Sequence, residues 1–415
     1  MLGWDDVRRE PFRLLFPLGA VSGLLGVGHW LAYAAGWSPS YSGFYHASLQ
    51  VGVFALCFIL GFLMTALPRF LSAPPASHAE LGVVLALLLA QPILLSLGRW
   101  VEAEGCFAAL LLALAIFAGR RALARRAAEP PPTEFVWIPI ALLHGLLGAA
   151  LLMAAQVGTA PAWMLAVGRP MVQQGFLLGM VVGVGGFMAP RLMGHAATPA
   201  LTSSPDDVRR SRQRRVAWHA AAGAVFFSSF WLEGFGVVGP AYLLRAAVVT
   251  AVFVAAGTFP RPPRVSDLYV RLLWAAVWMI VLGLWGAGLW PRHRAAMLHL
   301  VFLGGVSLMI FAVGTMVVLS HAGEGRRLRA PLPILWFLGM GTAAAVGFRL
   351  AAEWRRDAFF PLLALAAVCW LLPLAAWLAF LAPRLLHVPS PGTFEHLHEA
   401  AKARLRGEVR ATDAL

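Results

Sequence analysis

Twelve apolar runs, most about 20 residues long and separated by short polar loops, decide what this chain can fold into. A run of that length crosses about 30 Å of hydrocarbon as a helix. Backbone N–H and C=O groups meet no water there and must bond within the segment, so each run reads as a membrane-spanning helix. The alternating pattern of a membrane β-barrel is absent, and Leu, Ala, Val and Phe dominate without it. The spans are expected at 12–35, 44–67, 80–97, 104–119, 135–156, 170–193, 216–234, 238–258, 270–290, 295–319, 331–349 and 359–382. Only 13% of the residues are charged. Soluble domains carry about 25%, so this chain cannot cover a water-facing surface. The expectation is an all-α polytopic membrane protein: one transmembrane domain over 1–383 and a basic tail over 384–415.

The net charge of +14 sits in the loops between spans. That placement is an orientation signal and argues against nucleic-acid binding. With the N-terminus inside, inner segments hold 25 of the Lys and Arg residues and outer loops 7, with Arg245 inside a span. Both termini are therefore expected on the cytoplasmic side. Residues 1–13 carry charges of both signs, and the first run lacks a small-residue cleavage site, so no removable signal peptide is expected. Cys57, Cys106 and Cys369 form no Cys-x-x-Cys pair and read as small core residues. The tail sets Phe394, Leu397, Ala401 and Leu405 at helical spacing, which suits either a helix lying on the inner surface or a solvated tail.

Spans two and six echo each other. Gly61 precedes Pro68-Arg69 by seven residues, and Gly183 precedes Pro190-Arg191 by seven. Gly314 stands seven before His321 in span ten, a weaker match. Helices four apart in order suggest three four-helix units, with chance similarity among Gly-rich helices as the competing explanation.

Ligating side chains are costly at membrane depth and are read first as functional. Glu80, Glu102, Glu104, Glu134, Glu233 and Glu353 fall near span ends, so no acidic chain crosses the membrane. That argues against a proton-driven transporter. Arg245, near the outer end of span eight, is expected to snorkel to the surface. His46 opens span two and His299 opens span ten, both running from outside to inside. Their imidazoles should lie at similar depth near the outer edge. Neutral imidazoles on two facing helices can hold a haem iron axially. Phe, Leu and Trp would cover the ring, and Arg99, Arg292 or Arg294 would meet its propionates. The plainer reading of each histidine is a hydrogen-bonded interfacial residue. His321 lies 22 residues after His299, or ~33 Å along a helix, which places it at the inner face with His195. His78 and His219 are near in sequence, giving a second possible metal cluster. His144, in mid-span five, could bond a neighbouring helix or a ligand. His29, His293, His387, His396 and His398 read as surface residues. Met171, Met180, Met188 and Met193 in span six could attract Cu(I), but core packing is the simpler reading.

Three segments resemble the NnrS family of membrane proteins. They are Tyr45-His46-Ala47 followed by Gly61 to Pro68, Gly186 to Met193, and Leu298-His299 with Gly304-Gly305 and Ser320-His321-Ala322-Gly323. The likeness runs over nearly the whole chain. It implies haem and copper cofactors, a role in bacterial nitric oxide stress and a place in the inner membrane. The family's first motif resembles Trp-His-x-His-Glu-Met; here Ala47, Ser48, Leu49 and Gln50 follow His46, so a second histidine and a glutamate are missing. Ala322 and Glu324 stand where the family tends to have Thr and Arg. A more distant likeness is to haem–copper oxidases and nitric oxide reductases, whose twelve core helices hold a low-spin haem between histidines on helices two and ten. His46 and His299 occupy those helices, while the binuclear-centre ligands have no counterpart. The resulting expectation is one b-type haem between His46 and His299, with copper as a further possibility. The protein would handle nitric oxide or metal-nitrosyl products by binding, or by electron transfer with a redox partner. The rivals are a haem-free transporter and a divergent oxidoreductase.

Overall fold

The computed structural model describes residues 2–127, 130–157, 161–195 and 204–388. The tail helix expected around Phe394 to Leu405 lies outside them. Twelve long helices follow a short lead-in helix, Trp4–Arg9. They are α1 (Phe12–Ala34), α2 (Gly43–Leu71), α3 (His78–Ser96), α4 (Trp100–Leu123), α5 (Thr133–Gln156), α6 (Trp163–Leu192), α7 (Pro205–Gly234), α8 (Val238–Ala255), α9 (Leu268–Leu289), α10 (Pro291–His321), α11 (Pro333–Trp354) and α12 (Arg356–Leu386). Among the described residues there is no strand. Eleven of these helices are long and apolar enough to cross a membrane. The exception is α7, whose apolar part carries His219, Ser228, Ser229 and Glu233 and whose first turns carry Arg209 to Arg215. Its 30 residues span ~45 Å, more than a bilayer core.

Local sequence explains where the helices begin. Ser42 caps α2 by accepting a hydrogen bond from the Tyr45 N–H at 3.1 Å, so His46 falls in the first turn. Ser77 and Glu80 form a reciprocal capping box at the start of α3. Close helix approach depends on small residues, as is usual in membranes. Gly148 of α5 and Gly168 of α6 face each other; a Cβ on either would lie 2.8 or 2.9 Å from the other's carbonyl oxygen.

The helices form a ring in which α12 packs back against α1. At its centre α2, α6 and α10 line two stacked cavities that share Ala55, Leu177 and Val306. Among the described residues only these three helices contain π-helical segments, at Gln50–Ala55, Met171–Phe176, Val181–Gly185 and Leu300–Ser307. Such segments are uncommon and gather at functional sites. They fall on the three helices whose sequences echo one another. The lower cavity, about 130 Å³, is lined by apolar residues alone, including Met180 and Met188. Met171 and Met193 are fully buried in the packing between helices.

Candidate functional site

The upper cavity has a volume of about 420 Å³ and takes in both His46 and His299. Cofactor sites usually measure about 300–1,000 Å³. Phe54, Phe302 and Trp370 wall it, and Gln50, Gln173, Arg169 and Arg349 supply its polar groups.

The two imidazoles are fixed alike. Nδ1 of His46 lies 2.8 Å from the carbonyl oxygen of Gly26 on α1. Nδ1 of His299 lies 2.6 Å from the carbonyl of Ala295, one turn earlier. A carbonyl can only accept, so Nδ1 carries the proton in each ring. Nε2 is then left with its lone pair, the form that binds a metal. Gly26 is needed for this approach, since a Cβ there would lie 2.5 Å from Nε2 of Gln50, which itself donates to the Gly23 carbonyl at 3.1 Å. His29 also places Nδ1 3.0 Å from the Gly26 carbonyl, and its ring centre is 6.2 Å from that of His46. Sequence reasoning left His29 at the surface.

Arg349 is the feature sequence reasoning missed. It ends its span in the sequence and reads there as a loop charge. In the structure it is 9% exposed and lines the cavity. Its Nη1 makes no hydrogen bond but is ion-paired with Glu353 at 3.6 Å. Glu353 is shared with His293 Nδ1 at 3.1 Å. Trp370, another wall residue, has a buried Nε1 without a partner. Orphaned buried donors are costly in an apolar interior, and an anionic or hydrogen-bond-accepting ligand would satisfy them. Arg99, Arg292 and Arg294, expected to meet propionates, are exposed and do not line the cavity. Arg99 pairs with Glu102 at 2.5 Å instead. Beside the cavity, Glu104 and Gln91 are buried with an unpartnered oxygen each, around a gap of about 10 Å³ that Arg169 and Gln173 also border.

The other histidines are dispersed. His144 is fully buried, bonded through Nδ1 to the Ile140 carbonyl at 2.7 Å and ringed by Phe226, Phe227 and Phe230. Its Nε2 has no partner, but it does not reach the cavity. His195 lies 3.0 Å from the Pro262 carbonyl. His321 is in a separate network: Nδ1 is 2.7 Å from Glu10 Oε1, and Arg69 Nη1 donates to Nε2 at 3.0 Å. His78 lies 3.5 Å from Asp5 and His219 accepts from Trp137 Nε1 at 3.2 Å, so the four histidines of the expected inner cluster each have a different partner. Among the described residues no group of three or more His, Cys, Asp or Glu side chains is placed to hold a metal.

The Glu10 network gives a pH test. Burial raises the Glu10 pKa, but the hydrogen bond from His321 and the charges of Arg13 and Arg69 outweigh it and hold the carboxyl at about 2. A folded pKa below the ordinary 4.5 stabilises the fold above that value, and the benefit is lost as pH falls towards 2. The loss is on the order of 3 kcal/mol. The unfolding temperature in detergent should drop across this interval, and Glu10→Gln should flatten the drop.

Arg245 corrects another sequence expectation. It does not snorkel: it is 0% exposed and pairs with Glu233 at 2.9 Å and Gln174 Oε1 at 2.6 Å. Its guanidinium stacks on Phe230, 3.8 Å from the ring centre. Glu233 sits 12 residues earlier, across the short α7–α8 turn, so burial with a partner replaced the path to water.

In comparisons with known proteins, the family model described as NnrS protein matches residues 6–388. No curated protein matches the chain.

Proposed function

This chain belongs to the NnrS family, and from that premise and the cavity around His46 and His299 we propose that it holds one b-type haem there and handles nitric oxide or metal-nitrosyl products. The observation that carries the reading is the pair of imidazoles, each with Nδ1 held by a carbonyl and Nε2 left as a lone-pair donor, lining one cavity between α2 and α10.

A haem held by two histidines supplies one-electron transfer. The chain's own residues would do the rest. Gly26 and Ala295 fix the tautomers through their carbonyls. Phe54, Phe302 and Trp370 keep water from the ring. Arg349, with Arg169 at the exposed rim, would balance the propionate charge in place of Arg99, Arg292 and Arg294. His46 and His299 would both be held by the group, which would favour electron transfer with a redox partner over reaction at the metal. Copper would find no group of three or more His, Cys, Asp or Glu donors among the described residues. The basic-loop face would be the cytoplasmic side of a bacterial inner membrane.

The deciding experiment is an optical spectrum of the detergent-purified protein, oxidised and reduced, with a pyridine haemochrome assay. The reading expects a six-coordinate b-type spectrum near one haem per chain. No haem after expression with ample haem supply would sink it and favour a transporter. Arg349→Gln should keep the haem but make its midpoint potential more negative, because the lost positive charge favoured the reduced form. A charge worth ~1.4 kcal/mol corresponds to about 59 mV for one electron. An unchanged potential on redox titration would remove Arg349 from the site.

A further inference from the structure

On the face that carries the basic loops, α6, α7 and α8 border a third, open cavity, about 1030 Å³ in volume, whose Arg214, Arg215 and Arg261 are exposed. Arg191, Arg210, Arg214, Arg215 and Arg261 line it, against two carboxylates, Glu134 and Asp207. Arg210, Arg214, Arg215 and Trp218 lie at helical spacing on one side of α7. Arg191 is held by the Phe187 carbonyl at 2.6 Å, and Arg210 lies 3.8 Å from Asp207. Arg214, Arg215 and Arg261 have no hydrogen-bond or ion-pair partner among the described residues. Positive-inside loops need only scattered charge; a concave site with three unpartnered guanidiniums asks for a multivalent oxygen anion, which arginine binds in bidentate fashion.

The other wall decides which anion. Val252, Val254 and Ala255, at the end of α8, form an apolar side of the same cavity. Val254 exposes 51% of its surface and Trp218 39%, so the apolar wall continues outwards onto the membrane-facing surface. A free phosphate has no use for that wall, whereas an acyl chain does. We propose that this cavity binds the phosphate headgroup of an anionic membrane phospholipid, with its acyl chains running along α8. Basic pockets between transmembrane helices on this face suit such headgroups. The proposal does not depend on haem.

The test is native mass spectrometry of the full chain in detergent, titrated with phosphatidylglycerol, with phosphatidylcholine and with inorganic phosphate. Each arginine beside an anionic lipid contributes roughly fivefold in affinity. The triple variant Arg214→Ala, Arg215→Ala, Arg261→Ala should lower phosphatidylglycerol retention by about a hundredfold, and Arg125→Ala with Arg126→Ala, in another basic loop, should leave it unchanged. Arg215→Glu alone should weaken retention if the triple variant does not fold. Equal retention of phosphatidylcholine by the wild type would overturn the proposal, as would full retention by the variants. Displacement of the lipid by millimolar phosphate would assign the site to a soluble anion instead.

Discussion

Purified His299→Ala protein should carry no haem. His299 bonds only to the carbonyl one turn earlier on its own helix, so alanine leaves the packing of α10 in place and removes an iron ligand. His46→Ala should give the same loss with a small added cost in stability. Its Nδ1 bond reaches Gly26 on α1, and a hydrogen bond of this kind contributes about 1 kcal/mol. The haemochrome assay, expressed per chain, reads both variants directly, and thermal unfolding separates loss of ligand from loss of fold. Should either variant keep a full complement of haem with an unchanged spectrum, the His46–His299 pair is wrong. His144→Ala and His195→Ala serve as controls, since neither side chain lines the cavity.

The second large effect is structural. Glu233→Leu would leave Arg245 buried with its counter-charge gone. Breaking one side of a buried pair costs about 3–5 kcal/mol. Gln174 and Ser229 would still bond the guanidinium, but neither neutralises it. Tyr242, whose hydroxyl donates to Glu233 at 3.0 Å, would lose that partner too. The double variant Arg245→Met, Glu233→Leu should recover most of the loss, because an apolar pair of similar size needs no compensation. Gln174 and Tyr242 would remain bonded to each other at 3.0 Å. Denaturant unfolding in detergent measures both. A single variant within about 1 kcal/mol of wild type, the range of an exposed ion pair, would show that water reaches Arg245.

The membrane architecture was legible because hydrocarbon imposes it: a run of about 20 apolar residues has few alternatives. Even α7, which is not among the eleven helices long and apolar enough to cross, was expected as a span at 216–234. Depth was legible as well. The direction of α2 and α10 placed His46 and His299 at one level, and the structure brings them to one cavity. Lateral neighbours were not legible. Arg349 and Arg245 each read as a charge near a span end, and only packing decides whether such a side chain turns outwards or into the ring. The same limit applied to His321 and His195, which share a face but have different partners. One signal was available for Arg245: an acidic residue 12 positions earlier, across a tight turn, where two adjacent helices can bring both to one level.

The π-helical turns carry a consequence for anyone reshaping this protein. Each wide turn holds one residue more than an α-helical turn, so the helix beyond it is rotated by about 100° relative to an uninterrupted α-helix. A wheel projection drawn through Leu300–Ser307 therefore misassigns one end of α10. Deleting a single residue there would make the helix more regular and, taken by itself, more stable. It would also swing His299 away from the central axis while the lower half stayed in register. Regularity and ligation are thus in competition on α10, and a sequence optimised for ideal helices would lose the second by gaining the first.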